Sequence, residues 1–390
     1  MKRRNQIDFL RGIMLILITI DHFLSENDII KYFTYEFVGW VTAAEGFVFL
    51  SGLTAGIVYT RQMLEKGEEF VSAATTKRAW LIYRNHIAIL FFAFIAVLFG
   101  FGLNEYWVNH YSLFSESPYL SIFLGATLLY QPIYLDILPM YAAFIFCVPV
   151  VIKYLKKGFI WQLFACSIIL YMIPIFKGSH VLTDITQIKV INTGFFNLLS
   201  WQFLFFLGLF SGFSYCCGKV NKWMNNKKLL LLLVFLCSAL FLIKNLQVDL
   251  SGLDYLFSRD TLGPIRLLNS LSIFFIITFI CARKSEWFTF KPICYLGRNS
   301  LEVFSFHVLF VIIFKPLNDI VSNIYSIKVT DYFFVYPLAL IMFILFVIPA
   351  LFLAPTLLRS RTYTLSRNNT KPLYNAGLLA NASVIVEDSK

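Results

Sequence analysis

The sequence predicts an all-α protein that crosses a membrane many times. Three observations carry that reading. Hydrophobic residues make up 58% of the 390-residue chain and charged residues only 14%, with a mean hydropathy of +0.72; a soluble domain carries about 25% charged residues. Apolar stretches of roughly twenty residues recur along the chain, the length an α-helix needs to cross about 30 Å of hydrocarbon. The basic residues gather between alternate stretches, as orientation by positive charge requires. The net charge of +11 is thereby explained by orientation and contact with anionic headgroups, and no nucleic-acid partner is expected. No polar stretch is long enough to bury a soluble core of its own.

Ten stretches read as spans: 7–24, 37–60, 79–103, 136–154, 158–176, 194–217, 229–246, 263–282, 296–317 and 331–354. Lys2, Arg3 and Arg4 place the N-terminus in the cytoplasm, and with ten spans the C-terminus joins it. Each cytoplasmic segment then carries basic residues: Arg61, Lys66, Lys77 and Arg78 in the first, Lys153, Lys156 and Lys157 in the second, Lys219, Lys222, Lys227 and Lys228 in the third, and Arg283, Lys284, Lys291 and Arg298 in the fourth. The N-terminal basic run is not read as a signal peptide, because Arg11 and Asp21 interrupt the apolar stretch and no small-residue cleavage site follows. The seven cysteines fall in spans or on the cytoplasmic side, a pattern for packing and not for disulfides. Residues 1–354 form one membrane domain. Residues 355–390, rich in Asn, Ser and Thr, read as a disordered cytoplasmic tail. Between the third and fourth spans, Tyr119–Tyr130 is too short to cross and is expected to lie along the surface or dip into it.

The first span carries charge where a lipid-facing helix should have none. Ionisable groups in a span are costly and mark function. Arg11 and His22 stand eleven residues apart. At about 100° and about 1.5 Å per residue, that puts them on one face and about 16 Å apart along the axis. Asp8 falls near the same stripe. Neutral imidazole suits proton removal from a hydroxyl near neutral pH, so His22 is the candidate base against the plainer alternative of a histidine bonded into the bundle. Asp21, adjacent, points about 100° away and can pair with another span or hold an acceptor. In the second span, Glu45 is either a site carboxylate or an ion-pair partner of Arg11 or Arg84, and Gly52 and Gly56 allow close helix approach. Lys77, Arg78, Arg84 and His86 cluster where the third span begins; such cations suit a phosphorylated ligand, and snorkelling side chains explain them equally. Glu302 and His307 lie on different faces of the ninth span; His307 is a plausible neighbour of the site, with a structural reading favoured. Asp136, Pro139, Trp201 and Gln202 could line a cavity. Neither a metal motif nor a phosphate-cradling glycine loop nor a serine-hydrolase elbow is present in the sequence, and no metal is expected.

These residues resemble a known family. The spacing of Arg11 and His22 is similar to the first-span signature of the acyltransferase-3 type membrane acyltransferases. The fuller pattern resembles the OpgC branch, which succinylates osmoregulated periplasmic glucans. It comprises Asp8-Phe9-Leu10-Arg11-Gly12, Ile20-Asp21-His22, Ala43-Ala44-Glu45-Gly46-Phe47-Val48-Phe49-Leu50-Ser51-Gly52, the run from Gln131 to Tyr141, Asn197-Leu198-Leu199-Ser200-Trp201-Gln202 and Leu296-Gly297-Arg298-Asn299-Ser300-Leu301-Glu302-Val303-Phe304. The resemblance implies O-acylation of a periplasmic or cell-surface glycan at a bacterial cytoplasmic (inner) membrane, from cytoplasmic acyl-CoA, either succinyl-CoA or acetyl-CoA. It implies His22 as the catalytic residue, with Arg11, Lys77, Arg78 and Arg84 toward the CoA donor; Asp21 or Glu45 would stabilise the imidazolium. The acyl arm would thread from the Arg11 end toward His22. A proton-coupled transporter or flippase is the alternative, because buried carboxylates, Arg and His also mark proton relays; no internal symmetry favours it. The oligomeric state is not legible.

Overall fold

The computed structural model describes residues 5–23, 29–99, 110–177, 191–218, 226–246, 250–328 and 343–358. The basic residues at 2–4, most of the 177–193 segment, the first part of the tenth stretch and the tail from 359 lie outside the described residues. Among those described, every regular element is helical, and an isolated Tyr130–Asn192 bridge is the one strand-like pairing. The helices are α1 Asn5–Phe23, α2 Ile29–Thr34, α3 Ala43–Lys66, α4 Glu68–Phe99, α5 Ser112–Glu116, α6 Pro118–Ala126, α7 Ile137–Lys156, α8 Ile160–Lys177, α9 Leu198–Cys216, α10 Lys227–Asn245, α11 Asp254–Phe257, α12 Pro264–Arg283, α13 Lys291–Arg298, α14 Ser300–Lys328 and α15 Ile348–Leu358. A helix lies on each of the ten expected stretches. Six of them (α3, α4, α7, α9, α10 and α12) are long and apolar enough to cross a membrane, and a seventh is reached if the bent pair α13–α14 counts as one span. This is the architecture of a helical membrane protein.

Local chemistry shifts several boundaries. The second span was expected from residue 37, but α3 starts at Ala43, where extended Thr42 caps it in a capping box with Glu45. The third was expected from residue 79, yet α4 begins at Glu68, one residue after Gly67. Gly67 takes φ 85°, a conformation L side chains avoid, and Glu68 and Glu69 then sit at the positive end of the new helix. The expected cytoplasmic loop between these spans is therefore almost all helix. The ninth span is broken at Asn299, with α13 bent by 86° from α14. The 119–130 segment forms α6, which buries Ser121, Leu124 and Gly125, Gly125 closing on Leu90 of α4.

Two glycine seams position the helices that matter. Along α3 and α9, Gly52 and Gly56 face the carbonyl oxygens of Phe205 and Leu209, while Gly208 and Gly212 face those of Phe49 and Leu53. A Cβ at any of these four would meet backbone. Gly56→Val is therefore expected to cost about 1–3 kcal/mol, read as a lower melting temperature in detergent; an unchanged midpoint would contradict this seam. Along α1 and α13, Gly12 faces the Ile293 carbonyl and Gly297 the Asp8 carbonyl. Helix α1 is enclosed by α3, α13 and α14. That enclosure is how a helix carrying Asp8, Arg11 and Asp21 can sit in a membrane protein.

Candidate active site

The N-terminal part of α1 is tied to the bend between α13 and α14. The Gly297 seam brings Arg298 to Asp8, Nε donating to Oδ2 at 3.1 Å. One turn on, buried Arg11 donates from Nη2 to Ser300 Oγ at 2.5 Å. The string Leu296-Gly297-Arg298-Asn299-Ser300 thus has a physical reading: close approach, then an ion pair, then a hydroxyl for Arg11.

At the other end of α1, His22 meets His307 of α14. His22 Nδ1 lies 3.2 Å from His307 Nε2, and the rings stack with centroids 5.4 Å apart. His307 is fully buried and its Nδ1 lies 2.6 Å from the Phe304 carbonyl oxygen. The Tyr134 ring sits 4.8 Å from the His22 ring, and Tyr134 is held at φ 69°. Such strained backbone persists only where its surroundings over-determine it. Three cations act on this end: Lys31, Arg259 and Lys315. Lys315 Nζ donates to the Phe23 carbonyl at 3.3 Å, and Arg259 Nη1 donates to the Tyr35 hydroxyl at 3.3 Å. Asp21 accepts from the Thr34 hydroxyl at 2.8 Å, so it binds α2 to α1.

Between the two ends the bundle is filled. The Arg11 guanidinium lies 5.9 Å from the Phe47 ring, Phe47 stacks on Phe304 at 5.8 Å, and Phe304 meets His307 edge-on at 4.7 Å. The straight path for an acyl arm along α1 is closed by buried Phe47 and Phe304. A narrow apolar cleft opens on another side of Phe47, lined by Val48, Met140, Tyr141 and Phe144.

Glu45 pairs with neither Arg11 nor Arg84. Its partner is Arg266 of α12, Nη1 donating to Oε1 at 2.9 Å, while Thr42 occupies Oε2 through its backbone N–H at 2.9 Å and its hydroxyl at 2.5 Å. Arg266 also pairs with Glu36 and donates to the Phe257 carbonyl at 2.8 Å. Lys244 completes the network, donating to Glu36 Oε2 at 2.7 Å and to the Glu36 and Gly39 carbonyls. Glu45 is 0% exposed and Arg266 only 3%.

The basic residues of α4 are split. Lys77 and Arg84, seven apart, share an exposed stripe with Trp80, Ala88 and Phe91, whereas Val71, Thr75, Ala79, Ile82 and His86 form the buried one. Lys77 lines an open groove at the α3–α4 turn whose charge is mixed, with Lys66, Glu68 and Glu69 also lining it. Arg78 is part-buried. His86 is fully buried against the backbone of Gly125 and Leu135. Lys77 and Arg84, on the exposed stripe, therefore do not converge with buried Arg11. The supposed cavity residues are engaged as braces: Asp136 Oδ2 accepts from the Phe195 N–H, Trp201 Nε1 donates to the Asp260 carbonyl, and Gln202 binds Ser167. No group of three or more His, Cys, Asp or Glu side chains placed to hold a metal ion occurs among the described residues.

Sequence reasoning missed Arg266, Glu36, Lys244, Arg259 and Tyr134 as site residues, and favoured a structural reading of His307 over a place beside the site. The signals were there for Arg266, an arginine three residues into a span, and for a second histidine in a membrane helix.

A bundle of apolar helices enclosing a charged first helix, with a paired imidazole at one end and a buried arginine at the other, defines a polytopic membrane protein. The chain matches the family described as OpgC protein over residues 3–355, nearly the whole described bundle, and it belongs to that family. No curated protein and no solved structure shows a significant match.

Proposed function

We propose that this protein is a membrane O-acyltransferase that moves a succinyl or acetyl group from acyl-CoA on the cytoplasmic side to a hydroxyl of a periplasmic or cell-surface glycan in a bacterial inner membrane. The observation that carries this is the His22–His307 pair on a helix whose other end holds Arg11, in a chain of the OpgC family. His22 removes the proton from the sugar hydroxyl as its oxygen attacks the thioester carbonyl. The C–O bond forms, the C–S bond breaks, and the CoA thiolate leaves with a proton returned from the imidazolium.

Arg11 is the cation for the donor end. Arg78 suits the same task by depth. Phe47 against Arg11 and Gly46 against Met14 make α1 and α3 antiparallel, and α4 returns after Gly67, so α1, α4 and α14 run the same way. Asn85 meets Ser305; Arg78 and Ser300 lie about 10 Å and about 7 Å back from that contact at about 1.5 Å per residue. Lys77 reaches phosphate only from the open groove, and Arg84 faces outward, so the donor site is expected to depend on Arg11 and Arg78 and to tolerate Arg84→Gln. Asp21 and Glu45 serve structure, through Thr34 and Arg266.

Mass spectrometry of surface and periplasmic glycans from a deletion strain tests the whole reading. Loss of an acyl mass, restored by the wild-type gene, is the expected result. Unchanged glycans, together with no acyl-CoA binding by the purified protein, would overturn it.

A further inference from the structure

The two short contacts of His307 fix more than its own place. A carbonyl oxygen only accepts hydrogen bonds, so the nitrogen 2.6 Å from the Phe304 oxygen, His307 Nδ1, carries the hydrogen. A neutral imidazole has one N–H, so His307 Nε2 is a bare lone pair. That lone pair lies 3.2 Å from His22 Nδ1, which must supply the hydrogen between them. A neutral His22 with its hydrogen on Nδ1 has a bare Nε2.

The alternative assignments fail on charge. Placing a hydrogen on both nitrogens of His307 makes it a cation with no exposure, directly against a His22 ring that Lys31, Arg259 and Lys315 already act on. Tyr134 from the α6–α7 connection and Phe304 complete its surroundings, and no carboxylate bonds to either ring among the described residues. An unpaired buried cation there is costly.

We infer that His307 is a positioning residue that locks His22 in the Nδ1–H tautomer and so presents its Nε2 lone pair as the base. The inference rests on the reading of His22 as base given above. When Nε2 takes the proton, Nδ1–H still donates to His307, and the chain ending on the Phe304 carbonyl is polarised to hold the new charge. A neutral imidazole anchored to a backbone carbonyl here orients the base, a task that a carboxylate can perform elsewhere. Asp21, next to His22 and bonded to Thr34, is not needed for it.

The test is nitrogen NMR of the full-length protein in lipid nanodiscs with ¹⁵N-labelled histidine. Five histidines are present, and the His22 signals are those lost in His22→Gln. The expected wild-type spectrum shows His22 with a protonated Nδ1 and a bare Nε2. His307→Leu should release the tautomer toward Nε2–H and lower kcat for acyl transfer about 10²-fold with KM for the donor held. His307→Gln, whose carboxamide oxygen reaches where the Nε2 lone pair stood, should restore both the tautomer and most of the rate. A merely structural His307 would move neither the tautomer nor the kcat-to-KM split in this way. Nε2–H on wild-type His22, or a tautomer unchanged in His307→Leu, overturns the inference. Full activity in His22→Ala overturns the base reading beneath it, and the spectrum distinguishes the two failures because it needs no turnover.

Discussion

Membranes carrying His22→Ala are expected to lose acyl transfer by about 10²- to 10⁴-fold, the usual worth of a general base, with the protein present at wild-type level. The effect is large because the Nε2 lone pair has no substitute in place. Its neighbours at that end of α1 are cations, Lys31, Arg259 and Lys315, a tyrosine ring and His307, whose ring is fully buried behind it; Asp21 is turned to Thr34. The fold should survive. His22 is part-buried at the last turn of α1, while Leu15 and Ile18 carry the packing of that helix, and alanine is a good helix residue. The cost is the lost partner of His307 Nε2, about 1–3 kcal/mol. Asp21→Asn is the matched control: it keeps a carbonyl oxygen for Thr34 and should transfer acyl groups at nearly the wild-type rate. Wild-type turnover in His22→Ala at normal protein level would sink the base assignment.

How much of this was legible depended on whether the information is periodic or pairwise. The helical stretches and the shared face of Arg11 and His22 follow from 3.6-residue geometry, and the structure keeps Arg11 buried and His22 paired inward. The family pattern was legible as strings of residues, but the reason for Gly297 beside Arg298 appears only when α13 lies on α1. Partners chosen across the bundle were not legible. Glu45 read as a site carboxylate or a partner of Arg11 or Arg84, because its true partner, Arg266, is 221 residues away. Hydropathy also misplaced the start of α4: a helix does not end where its side chains become polar, and capping and Gly67 decide it instead. Lys77, Arg78, Arg84 and His86 were legible as a cluster, but only packing showed that Lys77 and Arg84 lie on the exposed face and His86 on the buried one.

The largest stability effect is expected at Arg266. Arg266→Met should destabilise the protein by about 3–5 kcal/mol, the range found when one partner of a buried ion pair is removed. Two carboxylates depend on this guanidinium. Glu45 has no exposure and would keep only Thr42; Glu36 would keep Lys244. The Phe257 carbonyl also loses its donor. Because the cost is an uncompensated charge and not lost packing volume, the double variant Glu45→Gln with Arg266→Met should recover a substantial part of it. The pH dependence follows from Glu36. Burial alone would push its carboxyl up, but Arg266 and Lys244 beside it outweigh burial and hold it below the ordinary carboxylate range. A carboxyl depressed in the folded state stabilises fully above its unfolded pKa and loses that contribution as pH falls through the folded one. The gap in melting temperature between wild type and Arg266→Met should therefore be widest near neutral pH and narrow in acid. A gap that does not change between pH 7 and pH 4, or a double variant no more stable than Arg266→Met, would show that these four side chains are not held together by charge.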